Sequence, residues 1–145
     1  RAYANYATQT AESFKNAVAD YTKAEELGAK TEQLFTARSV CNKALKNYAD
    51  EIKDYDNLLA LNPEADLYYK RAMANYNSKQ YKSAIADLNK FIAKHPKDVN
   101  AYILRYTCEN QIKDVKAAQA DLAKINALQG KPAPKATTGK PAGKK

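Results

Sequence analysis

The sequence predicts an all-α protein, an α-solenoid of about three to four helix-turn-helix repeats followed by a disordered basic C-terminal tail. Three observations lead to this prediction. Residue types recur at a spacing of 33 or 34 residues. Apolar side chains within each copy follow helical spacing rather than strand alternation. Successive helix pairs end at Asn62-Pro63 and His95-Pro96, where proline cannot continue a helix.

The second helix of each copy is marked by an aspartate and by an apolar residue six positions before it. The aspartates are Asp20, Asp54, Asp87 and Asp121, and the apolar residues are Phe14, Tyr48, Tyr81 and Val115. A further apolar column falls four residues after each aspartate, at Ala24, Leu58, Phe91 and Ile125. These columns share one helix face, so four copies are expected.

The first helix of three copies is marked by an aromatic residue with an arginine three positions later. The aromatic residues are Phe35, Tyr68 and Tyr102, and the arginines are Arg38, Arg71 and Arg105. We predict a repeat domain over residues 1–130, with copies at about 1–31, 32–64, 65–98 and 99–130, and a tail over 131–145. The first copy has a clear second helix from Phe14 to Leu27, but Arg1 to Ser13 shows no clear match to a first helix.

The copy from Ala65 to Asp98 resembles a tetratricopeptide repeat over its full length. The matching residues are Tyr68 at the large aromatic position, Ala72 at the small position, Ala84 and Leu88 in the second helix, and Pro96 at the end. The resemblance implies a right-handed superhelix whose first helices line a concave groove. Neighbouring copies depart from the pattern at Glu51, Tyr106 and Gly130.

The resemblance also implies which residues line the groove. They are Thr36, Val40, Lys43, Tyr69, Met73, Tyr76, Ile103, Thr107 and Asn110. This mixture is amphipathic, so the expected partner is a protein or peptide segment that carries apolar side chains. The aromatic residues on core columns, Phe35, Tyr48, Tyr55, Tyr68, Tyr81 and Tyr102, are expected to pack inside the repeats instead.

The arginine column has two interpretations. Guanidinium groups could form a binding stripe for phosphate or carboxylate groups. However, each arginine precedes an aspartate of its own copy by 16 residues: Asp54, Asp87 and Asp121. We therefore predict ion pairs between the helices of each copy, worth about 0 to 1 kcal/mol each if they are exposed.

Net charge is concentrated in the tail. The chain carries +8, and five of those charges are Lys131, Lys135, Lys140, Lys144 and Lys145, which leaves +3 for residues 1–130. The tail is rich in lysine, proline and glycine, a composition typical of disorder. It could make weak contact with an anionic surface, although no aromatic residue or arginine stands between its lysines to stack on bases.

Catalytic and metal-binding motifs are missing from the sequence. It contains one histidine, His95, and shows no phosphate-binding loop, HExxH motif or nucleophile motif. Cys41 and Cys108 lack metal-ligand spacing and are expected to be buried free thiols. We expect a non-enzymatic protein without cofactor or metal, and no apolar run is long enough to cross a membrane.

The leading functional hypothesis is a protein-interaction scaffold or adaptor. The alternatives are a nucleic-acid-associated repeat protein that uses the basic tail, and a structural spacer in an envelope or secretion complex. Free thiols favour a reducing compartment, whereas a chain that starts at Arg1 favours processing and export. A bacterial protein of the periplasm, cell envelope or cytoplasm is the corresponding expectation.

Overall fold

The fold was obtained as a computed structural model that describes residues 10–64 and 66–132. Over these ranges the chain forms seven α-helices and no strand. The helices are α1 (Ala11–Glu26), α2 (Glu32–Ala44), α3 (Tyr48–Leu61), α4 (Tyr68–Asn77), α5 (Tyr81–Lys94), α6 (Val99–Gln111) and α7 (Val115–Leu128). The predicted all-α repeat architecture is confirmed. Most of the segment from Arg1 to Ser13, for which the sequence shows no clear first helix, and most of the predicted tail lie outside the described residues.

The helices form three complete pairs, α2 with α3, α4 with α5, and α6 with α7. Within each pair, a three-residue turn joins two helices that pack closely on each other, which is the geometry of an antiparallel helical hairpin. Between pairs, α1 packs on α2, α3 on α4, and α5 on α6, and α4 also contacts α6. The pairs therefore stack in sequence order, as in an α-solenoid.

The start of α1 differs from its predicted start at Phe14. The helix begins three residues earlier because Thr10 is its N-cap. The backbone N–H of Ser13 donates to the Thr10 hydroxyl at 3.1 Å, and the Thr10 N–H donates to the Ser13 hydroxyl at 2.9 Å. This reciprocal capping box satisfies two N–H groups that an uncapped helix would leave without partners.

The turn inside each pair closes with the same left-handed residue. Lys46, Lys79 and Lys113 have φ values of 58°, 61° and 62°. At the first of these turns, the Lys46 N–H donates to the Lys43 carbonyl, and the Asn47 N–H donates to the Asn42 carbonyl. The other two turns repeat this pattern, which is a Schellman motif.

Two clusters of buried side chains form the core. The N-terminal cluster includes Ala17, Tyr21, Phe35, Cys41, Tyr55, Leu58 and Ala74, and the C-terminal cluster includes Ala72, Ala84, Leu88, Phe91, Tyr102, Cys108 and Ile125. Both cysteines are buried and free, as expected, and burial raises the pKa of the Cys108 thiol to about 11. Of the predicted packing aromatics, Phe35, Tyr55 and Tyr102 are buried, whereas Tyr48, Tyr68 and Tyr81 are half-buried.

The predicted ion pairs are present in all three complete pairs, and together we call them the Arg–Asp ladder. Arg71 binds Asp87 through two parallel contacts, Nε to Oδ2 at 2.9 Å and Nη2 to Oδ1 at 2.6 Å. Arg105 binds Asp121 in the same way at 2.8 and 2.6 Å. Arg38 donates through Nε and Nη2 to Oδ1 of Asp54 at 3.0 and 2.8 Å. Structural pairing is therefore confirmed.

The aspartates of the ladder are buried, so the energy given above for exposed pairs does not apply to them. Asp54, Asp87 and Asp121 are nearly inaccessible to solvent. Burial dominates the pKa of the Asp54 carboxyl and raises it, although Arg38 acts in the opposite direction. The sequence spacing predicted the partners, but it carries no information on how deeply the next repeat covers them.

Each ladder arginine also reaches back to the preceding second helix. Arg38 Nη1 lies 2.7 Å from a carboxylate oxygen of Glu25, and Arg71 Nη1 lies 2.7 Å from one of Asp56. Arg105 Nη1 donates to the amide oxygen of Asn89 at 2.7 Å. The ladder therefore joins neighbouring repeats as well as the two helices of each pair.

We expect the replacement Asp87→Ala to reduce the free energy of unfolding by about 3 kcal/mol, because it leaves the largely buried Arg71 guanidinium without its main partner. Asp56→Ala is the matched control, since Asp56 binds the same arginine but its side chain is 55% exposed. That control should cost less than about 1 kcal/mol. Urea denaturation measures both, and equal losses would contradict a stabilising role for burial at Asp87.

Candidate functional site

The nine predicted groove residues lie on α2, α4 and α6, on the side of each helix opposite the ladder. On α4, for example, Tyr69, Met73 and Tyr76 follow helical spacing, whereas Arg71 is two residues from Tyr69 and points about 200° away from it. The same offsets hold on α2 and α6. We call this surface, formed by Thr36, Val40, Lys43, Tyr69, Met73, Tyr76, Ile103, Thr107 and Asn110, the first-helix face.

No residue of the first-helix face is fully buried. Val40 and Ile103 are each 41% exposed. Thr36, Lys43 and Asn110 are exposed, and Thr107 is half-buried together with Tyr69, Met73 and Tyr76. The surface therefore has an apolar residue open to solvent on each of its outer helices.

The two tyrosines of the first-helix face are held by aromatic residues of α5. The Tyr69 ring lies 5.2 Å from the Phe91 ring, and the Tyr76 ring lies 5.8 Å from the Tyr81 ring, measured between centroids. Burial and the nearby charge of Asp98 raise the pKa of the Tyr69 phenol. Both rings are therefore partly packed against α5.

The polar residues of α6 bond to their own helix. The Thr107 hydroxyl donates to the Ile103 carbonyl at 2.8 Å, and the Asn110 amide donates to the Tyr106 carbonyl at 3.0 Å. These bonds fix the side chains against the helix. The first-helix face is therefore mainly apolar and uncharged at its centre, with Lys43 as its one charged member.

Two open clefts run along the ladder, and sequence reasoning did not predict them. One has a volume of about 380 Å³ between α3 and α5, and the other about 300 Å³ between α1 and α3. Arg71 lines the first cleft and Arg38 the second, and both are already paired with carboxylates. Because these charges are satisfied within the protein, the clefts offer little to a charged ligand.

An asparagine accompanies the ladder in two repeats, and a glutamate replaces it in the last. The Asn42 amide donates to Asp54 and the Asn75 amide donates to Asp87, both at 3.1 Å. The equivalent residue beside Asp121 is the buried Glu109. An ionised glutamate cannot donate a hydrogen bond to an aspartate, so this level of the ladder differs chemically from the other two.

Burial raises the pKa of Glu109 to about 7, and the neighbouring charges of Asp121 and Asp114 act in the same direction. Arg105 opposes them from 3.7 Å away. In the protonated state, Glu109 regains a donor that can face Asp121 as the asparagines do. The last repeat therefore contains a carboxyl group that titrates near neutral pH.

Replacing Glu109 should change how stability depends on pH. Between about pH 4.5 and 7 the folded wild type holds a proton that the unfolded chain releases, so its stability falls as pH rises and then levels off. Glu109→Asn removes this group, and we expect it to be more stable than the wild type by up to about 3 kcal/mol at pH 8 and nearly equal at pH 4.5.

Thermal unfolding followed across this pH range tests the expectation. The exposed Glu26→Gln on α1 serves as the control and should parallel the wild type. A constant difference between Glu109→Asn and the wild type at every pH would contradict the assignment of the titration to Glu109.

Within residues 10–64 and 66–132, no group of three or more histidine, cysteine or acidic side chains could hold a metal ion. No helix in the described part of the chain is long and apolar enough to cross a membrane.

The stacked helical pairs define an α-solenoid, in which each repeat packs on its neighbours. Two solved structures share this fold. MamA 41-end from Desulfovibrio magneticus RS-1 and the MamA RS-1 ArsTM double mutant each have a TM-score of 0.69 and 19% sequence identity. The similarity covers 81% and 82% of this chain, respectively, and 67% of each MamA chain.

One curated protein, sperm-associated antigen 1 of Homo sapiens, is 28% identical over 90 residues. That alignment covers 61% of this chain, which spans about a tenth of the length of this relative. No protein-family model matches the chain. With its 34-residue repeat, its stacked helical pairs and these structural similarities, the chain has the fold of a tetratricopeptide-like α-solenoid.

Proposed function

We propose that the protein is a non-enzymatic adaptor that binds a peptide or helix of a partner protein on its first-helix face. The observation that carries the proposal is the position of Val40, Met73 and Ile103 on the same face of three successive first helices. None of the three is buried, although each lies beside a core that could have taken an apolar side chain. An apolar surface shared by several repeats is typical of a protein-binding site.

The chemistry of the partner follows from the surface. Its centre is apolar and uncharged, so the bound segment should supply apolar side chains to Val40, Met73 and Ile103. Tyr69 and Tyr76 are held by Phe91 and Tyr81, and rigid aromatic rings lose little conformational entropy on binding. A helix with apolar residues at intervals of three and four meets both requirements.

Selection from a displayed library of short random peptides, with the intact chain as bait, tests this proposal. Selected peptides should share apolar anchors. The double variant Val40→Asp/Ile103→Asp should weaken their binding by at least about 30-fold, as expected for the loss of central apolar contacts. Isothermal titration measures the affinities.

Leu27→Asp/Leu61→Asp is the matched control, because these two leucines are also exposed, at 81% and 47%, but lie outside the first-helix face. It introduces the same two charges and should leave binding within about twofold. Circular dichroism checks that both variants remain helical. Peptides that bind the two variants equally well would place the binding site elsewhere.

A further inference from the structure

Six exposed lysines lie along one edge of the solenoid. The turns inside the three complete pairs all lie at the same end of the stacked helices, since each pair is an antiparallel hairpin and the pairs stack side by side. The lysines in or next to these turns are Lys43, Lys46, Lys79, Lys82, Lys113 and Lys116. We call this surface the lysine edge.

Three members of the lysine edge occupy a backbone conformation that disfavours them. Lys46, Lys79 and Lys113 are the left-handed residues of the Schellman motifs. A side chain costs about 1 to 2 kcal/mol in this conformation. At the same position after α1 and α7, the chain has Gly28 and Gly130, which avoid this cost.

The positive charge of an exposed lysine near a helix C-terminus stabilises the helix by about 0.3 to 1 kcal/mol. This stabilisation is smaller than the cost of the left-handed backbone conformation. Lys82 and Lys116 lie in the first turns of α5 and α7, where the helix dipole disfavours positive charge. Folding stability therefore does not account for lysine at these five positions.

The lysines of the lysine edge form no ion pair among the described residues. Nearby acids offset part of their charge: Lys43 opposes the burial that raises the pKa of the Glu51 carboxyl, and Asp114, which accepts the Ala117 N–H at the start of α7, is exposed. Asp50 is paired with Lys53 at 3.1 Å.

The opposite edge, where successive pairs are joined, has a different balance of positive and negative side chains. It carries the carboxylates Glu25, Glu26, Glu32, Glu64, Asp66 and Asp98 together with the lysines Lys30, Lys94 and Lys97. Two ion pairs form there, Lys94 with Glu64 at 3.2 Å and His95 with Asp66 at 2.9 Å, the second when His95 is protonated. The molecule is thus electrostatically polarised from one edge to the other.

We propose that the lysine edge docks the protein on an anionic phospholipid surface. Clusters of four to eight lysines or arginines are attracted to anionic lipid, by about 1 kcal/mol for each residue near the surface. The edge consists of hairpin tips, which can approach a broad surface together, and Val115 adds an apolar side chain there that is 60% exposed.

Residue type favours lipid over nucleic acid. The three arginines of the described chain, Arg38, Arg71 and Arg105, are all held in the ladder, so the edge lacks the planar forks that recognise phosphate in two-point fashion. Flexible lysines acting as point charges suit a diffuse surface potential. This docking leaves the apolar centre of the first-helix face open, because Lys43 is the one residue that the two surfaces share.

Sedimentation of the full chain with vesicles of about 70% phosphatidylcholine and 30% phosphatidylserine tests the proposal. In the triple variant Lys46→Gly/Lys79→Gly/Lys113→Gly, we expect roughly a hundredfold weaker partition, at about fivefold per lysine. The same variant should unfold at an equal or higher temperature than the wild type, because glycine relieves the left-handed backbone cost.

A second variant, Lys43→Gln/Lys82→Gln/Lys116→Gln, leaves the backbone of the turns unchanged. Its partition onto the vesicles should weaken to a similar extent.

Two further variants separate location from total charge. Lys23→Gln/Lys30→Gln/Lys97→Gln removes three charges away from the lysine edge and should change partition by less than about fivefold. A second control replaces all five tail lysines with glutamine: Lys131, Lys135, Lys140, Lys144 and Lys145. The proposal is overturned if the wild type does not sediment with these vesicles, if either control loses as much partition as the edge variants, or if the chain binds duplex DNA but not vesicles at the same ionic strength.

Discussion

Each complete helix pair sets an arginine of its first helix against an aspartate of its second, and the aspartate is almost completely removed from water. Removing either partner would leave a largely buried charge uncompensated, which costs far more than an exposed pair contributes. The pairing is therefore a constraint on register more than a source of net stability. A shift of one residue along either helix would rotate the charge by about 100° and break the contact. The aromatic ring one turn before each arginine adds to this constraint, because Phe35, Tyr68 and Tyr102 lie under the guanidinium groups at 5.4 to 5.8 Å.

The sequence predicted this constraint because its two members recur at a fixed separation of 16 residues. The contacts between repeats were not predicted. Glu25 precedes Arg38 by 13 residues, Asp56 precedes Arg71 by 15, and Asn89 precedes Arg105 by 16. Thr22, which also accepts from Arg38 at 3.4 Å, stands at the same repeat position as Asp56 and Asn89. Because the residue type differs in each copy, this position gave no recognisable column in the sequence. Burial was missed for a related reason, since it depends on how the neighbouring repeat covers the pair.

In the candidate site, too, some features were predicted from the sequence and others were not. The resemblance to a tetratricopeptide repeat indicated which side of α2, α4 and α6 would line a groove, but not which side chains are fixed there. Tyr69 and Tyr76 look equivalent to Met73 in the sequence, and their anchoring by Phe91 and Tyr81 depends on how α5 packs. The positive φ at Lys79 was not predicted either, because it accompanies the Schellman hydrogen bonds that close α4.

These features assign different tasks to different parts of the same helices. The ladder occupies one side of each first helix and fixes the register of the pair. The other side of that helix and the hairpin tips take no part in the ladder. In a solenoid each repeat touches only its neighbours, so a change in one repeat acts chiefly on the interface next to it. Glu109 replaces the ladder asparagine only in the α6 and α7 pair, and Arg105 of that pair reaches back to Asn89 on α5. Ionisation of Glu109 would therefore strain a ladder level that also holds the last pair against the one before it, while the two earlier levels keep their amide donors.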